Sequence, residues 1–350
     1  MKLRFPKGLE NLKRVYTEVE KTHKGLGTLT ILEILCDASD RALLVVGTSG
    51  TGKSTVMNFI NRVAKRTVFR QDSVTVNGLM RYKDLLDYNK LSILVDDIER
   101  GQTRYSWIMT VDALGSLAYS HTISKSTQQI NLRIENCFCS AIMNCQPLIL
   151  RAILTHPTFE ASIRDKVIRF YHLKRPKKPN PKPIVVDYTW EYLSKVKVDF
   201  PERLRKTKVY RDCIFNFKHE FTESRACEHL EALAKASALC NNRETVNKSD
   251  LKLIYQLSRN FKLELEIFYK KHLEGSRQLD IDLLPLMTVL ASYSKFPTLE
   301  LSLLYGVKKS QIYNILEKLS AYCYIIKNSG KSYIIPTEES ANLLKEIGEA

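Results

Sequence analysis

Gly47-Thr48-Ser49-Gly50-Thr51-Gly52-Lys53-Ser54 is the stretch from which the rest of the chain can be read. It meets the phosphate-loop pattern G-x-x-x-x-G-K-[ST] at every fixed position. Before it, Ala42-Leu43-Leu44-Val45-Val46 is an unbroken apolar run, as expected of a parallel strand buried on both faces. After it, Val56, Phe59, Ile60 and Val63 recur at helical spacing between Thr55 and Ala64. Strand, loop and helix in that order are what phosphate binding needs. The glycines let backbone N–H groups turn inward around a phosphate, and the helix N-terminus adds positive potential there. The pattern assigns nucleotide contacts to Gly47, Thr48, Gly50, Thr51, Gly52, Lys53, Ser54 and Thr55. Lys53 is expected to reach the β- and γ-phosphates, and Ser54 to ligate magnesium.

Further along, Leu91-Ser92-Ile93-Leu94-Val95-Asp96-Asp97 is an apolar strand ending in two carboxylates, with Asp96 43 residues beyond Lys53. Asp96 is expected to hold the magnesium ion, directly or through water. Asp97 stands where a general base would polarise the attacking water. A helical stretch, Tyr105 to Tyr119, and a polar segment, His121 to Asn131, follow. Cys137-Phe138-Cys139-Ser140-Ala141-Ile142-Met143 then gives another buried strand. Asn144 at its tip is placed to hold the water or the γ-phosphate. Phe159 to Lys166 is a charged turn running into a strand, Val167-Ile168-Arg169-Phe170-Tyr171. Arg164 at the entry of that strand can act as an arginine finger toward a neighbouring subunit's nucleotide, with Arg151 and Lys166 as competitors.

This series resembles the AAA+ ATPases: phosphate loop, acidic strand end, polar strand tip, then arginine before the last strand. Ser224 to Ala238 is similar to the lid helix of the minichromosome-maintenance helicases and their relatives of the origin-recognition type. That resemblance covers about residues 40 to 270. It implies ATP and Mg2+ as ligands, a homo-oligomer in a ring or open assembly, and a sensor-2 role for Arg225 at the γ-phosphate. The sequence also departs from the family. Asp97 stands where the family usually has glutamate, one methylene longer, which implies slow hydrolysis. The family's Ser-Arg-Phe-Asp turn appears as Ser162-Ile163-Arg164-Asp165, which shifts the finger by one position.

The fold class expected is therefore α/β, a P-loop AAA+ parallel-sheet core with a helical lid, followed by a winged helix. Residues 1–38 form an N-terminal helical segment that packs on the core, with Leu9, Leu12, Val15, Tyr16 and Val19 on one face. Residues 39–173 are the nucleotide-binding core. Residues 174–186 are a stiff basic linker rich in proline. Residues 187–275 are the lid, helical beyond Tyr188, its last helix capped at Ser249 or Asp250.

Residues 276–350 change character. Apolar spacing suggests helices near 281–291, 297–305 and 310–321. Two strand-like runs, Cys323-Tyr324-Ile325-Ile326 and Ser332-Tyr333-Ile334-Ile335, then flank the turn signal Asn328-Ser329-Gly330. This is the order of a winged helix. The third helix would enter the major groove of double-stranded DNA with Lys308, Lys309, Ser310, Gln311 and Asn314. Lys327 and Lys331 on the wing suit phosphate contacts.

Composition agrees with a polyanionic partner. The chain has 350 residues, 54 Lys and Arg against 38 Asp and Glu, and a formal charge of +16. No apolar run approaches the roughly 18 residues of a membrane span, and the N-terminus lacks an apolar signal core. The expected location is cytoplasmic, nucleoid-associated or another DNA-containing compartment, without secretion or membrane insertion. Eight cysteines include no C-x-x-C pair, so buried thiols are expected rather than a metal site. Fewer than 40 residues precede the core, which argues against a complete cellular replicative helicase.

The leading expectation is an AAA+ ATPase that couples ATP binding and hydrolysis to assembly or motion on DNA, in replication initiation or unwinding. Two alternatives stand beside it. One is a nucleotide-gated DNA-binding regulator with little hydrolysis. The other is a protein remodeller whose winged helix docks a partner.

Overall fold

The apolar run before the phosphate loop forms the strand its composition demands. In the computed structural model, residues 3–47, 49–71, 74, 76–98, 103–127, 130–154, 156–172, 180–261, 296–298, 310, 313, 323–328 and 331–337 are described. Two helices come first, α1 (Glu10–Thr22) and α2 (Gly27–Ala38), followed by β1 (Ala42–Val46) and α3 (Lys53–Val63). Next are β2 (Thr67–Gln71), the short helices α4 (Val76–Arg81) and α5 (Lys83–Leu86), β3 (Lys90–Val95) and α6 (Arg104–Ser120). The segment that sequence leaves without a structure, beyond His121, is a hairpin of β4 (Ile123–Thr127) and β5 (Ile130–Ile134). The chain continues with β6 (Phe138–Cys145), α7 (Pro147–Leu154), a π-helical turn (Phe159–Ile163) and β7 (Val167–Tyr171).

Five of these strands form one sheet in the order β2-β3-β6-β1-β7, parallel throughout. All five β1 residues are buried, as are all five of β7, because helices cover both faces. Leu43 and Val45 enter one core cluster, while Ala42, Leu44 and Val46 enter the other. The first cluster is continuous. It joins α1, α2 and α3 to the helices beyond the core: α8 (Glu202–Arg205), α9 (Lys208–Phe217), α10 (Glu223–Cys240) and α11 (Lys248–Ser258). Every residue of α2 is buried, so the N-terminal segment is part of the core packing.

Asp37, near the end of α2, ties these layers together. Its Oδ1 accepts from Ser92 Oγ on β3 and Ser140 Oγ on β6, each at 2.5 Å, and pairs with Arg66 at 3.1 Å. Its Oδ2 accepts from Trp190 Nε1 at 2.9 Å. Arg66 also pairs with Asp40 and lies 4.0 Å from the Tyr192 ring centre. Burial alone would lower the Arg66 guanidinium, but Asp37 and Asp40 more than reverse that.

Two expectations about the lid need correction. The chain is not helical from Tyr188: helix begins only at Glu202. Ile184, Val186, Tyr188, Trp190 and Tyr192 are buried in alternation with Val185, Asp187 and Thr189, which are exposed. That period of two belongs to extended chain laid over the core. The cap of α11 is Asn247 rather than Ser249 or Asp250. Its side chain accepts from Ser249 N at 2.8 Å, and Asp250 completes the capping box by accepting from Asn247 N at 2.9 Å.

Toward the C-terminus, β9 (Cys323–Asn328) and β10 (Lys331–Pro336) pair antiparallel, as the turn signal between them predicts. The two-residue β8 (Phe296–Pro297) adds to β10. The helices expected near 281–291, 297–305 and 310–321 lie largely outside the described residues, as do residues 174–179 of the linker.

Candidate nucleotide site

The phosphate loop follows the carboxyl end of β1, the edge of a parallel sheet where ligands collect. Strand register brings the two other elements to it. Val95 pairs with Met143, so Asp96 emerges level with Asn144, and Asn144 is itself paired with Val45. The result is a cavity of about 340 Å3. Of the expected site residues, Gly50, Thr51, Gly52, Lys53, Ser54, Thr55, Asp96, Asp97 and Asn144 line it together. Gly47 begins the loop beneath the cavity, and Thr48 lies outside the described residues.

The loop has little room for change. Gly50 and Gly52 take φ of +77° and +92°, in the left-handed region where side chains strain. A Cβ on Gly47 would lie 2.5 Å from the backbone oxygen of His172, and one on Gly52 would lie 2.7 Å from Leu26 Cδ2. His172 also braces the loop from β7: its backbone N donates to Val46 O at 2.7 Å, and its Nε2 meets Thr51 O at 2.9 Å. Lys53 Nζ donates to Gly47 O, which folds the lysine back over the loop.

Asp96 and Asn144 contact each other. Asn144 Nδ2 donates to Asp96 Oδ1 at 3.2 Å, and its Oδ1 is buried without a hydrogen-bond partner among the described residues. Asp96 Oδ2 pairs with Arg70 at 3.2 Å, and Arg70 also donates to Asn58 at 2.5 Å. A hydroxyl, Ser54, and two carboxylates, Asp96 and Asp97, on one cavity form a hard oxygen donor set of the kind magnesium takes beside a phosphate. Below them Glu33 of α2 is fully buried and neither carboxyl oxygen has a described partner. Burial, with Asp96 and Asp37 nearby, pushes that carboxyl well above the usual carboxylate range.

Several residues of the site have no signal in the sequence. His23, Lys24 and Leu26, from the turn between α1 and α2, and Asn180 complete the cavity wall. His23 Nε2 lies 2.8 Å from Lys182 O, and Asn180 Nδ2 donates to Thr22 O at 2.9 Å, which joins the two segments. Gly25 and Gly27 near that turn are the sole local hint. Arg70, His172 and Glu33 carry no hint at all, because tertiary packing alone brings them here.

The two arginines assigned to catalysis are elsewhere. Arg164 follows the π-helical turn, where it pairs with Glu160 at 2.8 Å and donates from Nε to Glu220 O at 3.3 Å. The buried Arg169 holds the Arg164 carbonyl at 3.0 Å. Arg225 does not line the cavity of its own chain. It pairs with Glu228 at 3.0 Å, donates to Tyr119 Oη and stacks 4.5 Å from the Tyr119 ring centre. Arg41 lies over the same ring at 5.4 Å, and Arg41 precedes β1 while the phosphate loop follows it. A five-residue strand spans about 17 Å. Arg225 is therefore at the opposite end of the sheet from Lys53. Arg164 and Arg225 are neighbours, since Asp165 accepts from Thr222 N at 2.8 Å at the start of α10. The competitor Lys166 donates to Ser116 Oγ at 2.9 Å, and Arg151 lies in α7.

Of the residues expected to meet DNA, Lys308, Lys309, Gln311 and Asn314 lie outside the described residues. Ser310 and Lys327 are exposed, and Lys331 opens β10 opposite Asn328. No helix among the described residues is long and apolar enough to cross a membrane. No protein family matches the chain, and no curated protein matches it in sequence.

Proposed function

We propose that the chain is an AAA+ ATPase that binds ATP and Mg2+ in the cavity at the carboxyl ends of β1, β3 and β6, and acts as an assembly on DNA. One observation carries this reading: the phosphate loop, the Asp96–Asp97 pair and Asn144, far apart in sequence, line one cavity. Backbone N–H groups of the loop and Lys53 would hold the phosphates. Magnesium, held by Ser54 and Asp96, would neutralise charge on the β- and γ-phosphates. Asp97 would accept the proton of the attacking water, and the Asn144 side chain, fixed by Asp96, would orient that water.

Arg164 and Arg225 fit the site of a neighbouring copy rather than their own. Their segments meet where Asp165 accepts from Thr222 N, at the far end of the sheet from Lys53, as expected if both complete the next subunit's site. The formal charge of +16 and the β9–β10 hairpin with Lys327 support DNA as the partner. Replication or unwinding as the process is what the resemblance to the minichromosome-maintenance type implies.

The test is steady-state ATP hydrolysis with and without double-stranded DNA at several protein concentrations. Lys53→Ala should abolish turnover. Turnover should rise with DNA and more than linearly with protein. Arg164→Ala and Arg225→Ala should spare nucleotide binding by the isolated chain and remove turnover in the assembly. Normal turnover by Arg164→Ala would show that the finger lies elsewhere.

The Arg70–Asp96 ion pair favours a second reading, a nucleotide-gated DNA-binding switch with little hydrolysis, because Arg70 competes with a cation for Asp96. The shorter Asp97 side chain points the same way. Sustained strand unwinding by the purified protein would exclude it.

A further inference from the structure

A second cavity, of about 360 Å3, opens at the amino ends of the strands, away from the phosphate loop. Arg41, His121 and Phe138 of the core wall one side, and Ser194, Glu231 and Lys235 wall the other. It is as roomy as the cavity assigned to the nucleotide.

Its acids are already matched. Asp40 pairs with Arg66, Glu228 with Arg225 at 3.0 Å, and Glu231 with Arg205 at 2.7 Å and Tyr210 at 3.1 Å. Its donors are not. The Arg41 guanidinium makes no ion pair or side-chain hydrogen bond with a described residue and its Nε is buried, although the nearby Glu228 and Asp40 carboxylates favour its charge. It rests over the Tyr119 ring. His121 Nδ1 and Ser194 Oγ are likewise buried without a described partner. Lys235 on α10 has no ion pair among the described residues. Burying a polar group without a partner is costly, so three around one cavity call for an explanation.

Backbone strain gathers here as well. Asp40 and His121 hold φ of +53° and +59°, uncommon for residues with a side chain. The His121 and Phe138 rings lie 4.5 Å apart, tilted by 32°, which gives the cavity an aromatic wall.

We propose that this seam is a second ligand site, for a small oxyanion, phosphate or carboxylate, carried on a flat organic body. The planar Arg41 fork grips the oxyanion, and Lys235 adds charge across the cavity. Ser194 donates to the oxyanion, while the flat body lies on Phe138 and His121. Core and lid each supply a cation, so the bound ligand ties α10 to the amino end of β1.

The test uses phenyl phosphate and benzoate as probes, followed by ligand-observed NMR titration of the full chain. Comparing the two probes separates phosphate from carboxylate recognition. The unsubstituted protein should bind at least one probe. Arg41→Gln and Lys235→Gln should each weaken that binding about tenfold, the worth of one charge-assisted hydrogen bond. Lys53→Ala should leave it within about twofold, because the phosphate loop is not involved. If Arg41→Gln does not fold, Lys235→Gln and Lys235→Glu carry the test, since Lys235 is only partly buried. No binding of either probe, or binding indifferent to Arg41 and Lys235, overturns the proposal. Loss of binding in Lys53→Ala also overturns it, since the probe would then sit in the phosphate loop.

Discussion

Asp37→Ala should cost more stability than any substitution within the cavity itself. Asp37 is fully buried and receives four side-chain contacts, from Ser92, Ser140, Arg66 and Trp190. Removing one partner of a buried ion pair costs about 3–5 kcal/mol. Arg66 keeps Asp40 and the Tyr192 ring, so the lower end applies. Trp190 Nε1 would lose its acceptor and cannot rotate to another as a serine hydroxyl can, which adds about 1–3 kcal/mol. The expected total is about 4–6 kcal/mol, since contacts within one network do not add simply. That is a large share of the roughly 5–15 kcal/mol by which domains are stable. Asp37→Asn keeps an acceptor for the serines but loses the charge opposite Arg66, and should cost about half as much. Urea unfolding followed by tryptophan fluorescence measures both, because Trp190 reports from inside the network. The consequence for function is specific. Asp37 fixes β3 and β6 against α2, and those strands carry Asp96 and Asn144. In Asp37→Asn, nucleotide affinity should fall in step with stability, and the apparent loss of affinity should shrink on cooling toward maximum stability. A shift under about 1 kcal/mol for Asp37→Ala would refute the assignment of Asp37 as the tie between layers.

Three further outcomes are expected. Gly47→Ala should abolish binding of a fluorescent ATP analogue and cost about 1–3 kcal/mol, because its Cβ would meet the fixed backbone oxygen of His172 at 2.5 Å. Arg70→Ala should lower the Mg2+ concentration needed for half-maximal ATP binding by a few fold, because Asp96 is then released from its ion pair. His229 sets an acid limit. Burial first, then the Arg41 charge, pushes this imidazole down to about 3, although its contact with Asp165 O works in the opposite direction. The unfolded chain therefore takes up this proton first, and its contribution is complete above pH of about 6.5 and lost as pH falls toward 3, with about 5 kcal/mol as the upper limit. Melting temperatures from pH 7 to pH 4 should fall less steeply for His229→Gln than for the unsubstituted protein, and parallel curves would remove His229 as the cause.

The elements legible in sequence were those whose signal is local. The Gly47–Ser54 loop stands out because glycine spacing, Lys53 and the buried run of β1 occupy one short stretch. The carboxylates after β3 and the Asn144 tip of β6 were visible because apolar runs end at them. The β9–β10 hairpin followed from its turn residues. The α2 helix showed its apolar character, but the purpose of its acids did not show: Asp37 answers Ser92 and Ser140, which lie 55 and 103 residues away.

Longer-range features were decided by packing. Residues 184–192 alternate in burial because they lie extended on the core, although the resemblance implied helix beyond Tyr188. His23 and Asn180 reached the cavity, and Arg70 reached Asp96, through chain crossings that no spacing rule encodes. Arg225 has the right residue type at the right place in a helix, yet β1 separates it from Lys53. A motif fixes local backbone shape and chemistry, whereas the distance between two motifs depends on how strands and helices stack. Local sequence therefore specified the glycine-rich loop between β1 and α3, and only the folded sheet determined which carboxylates face it and which arginines are turned away.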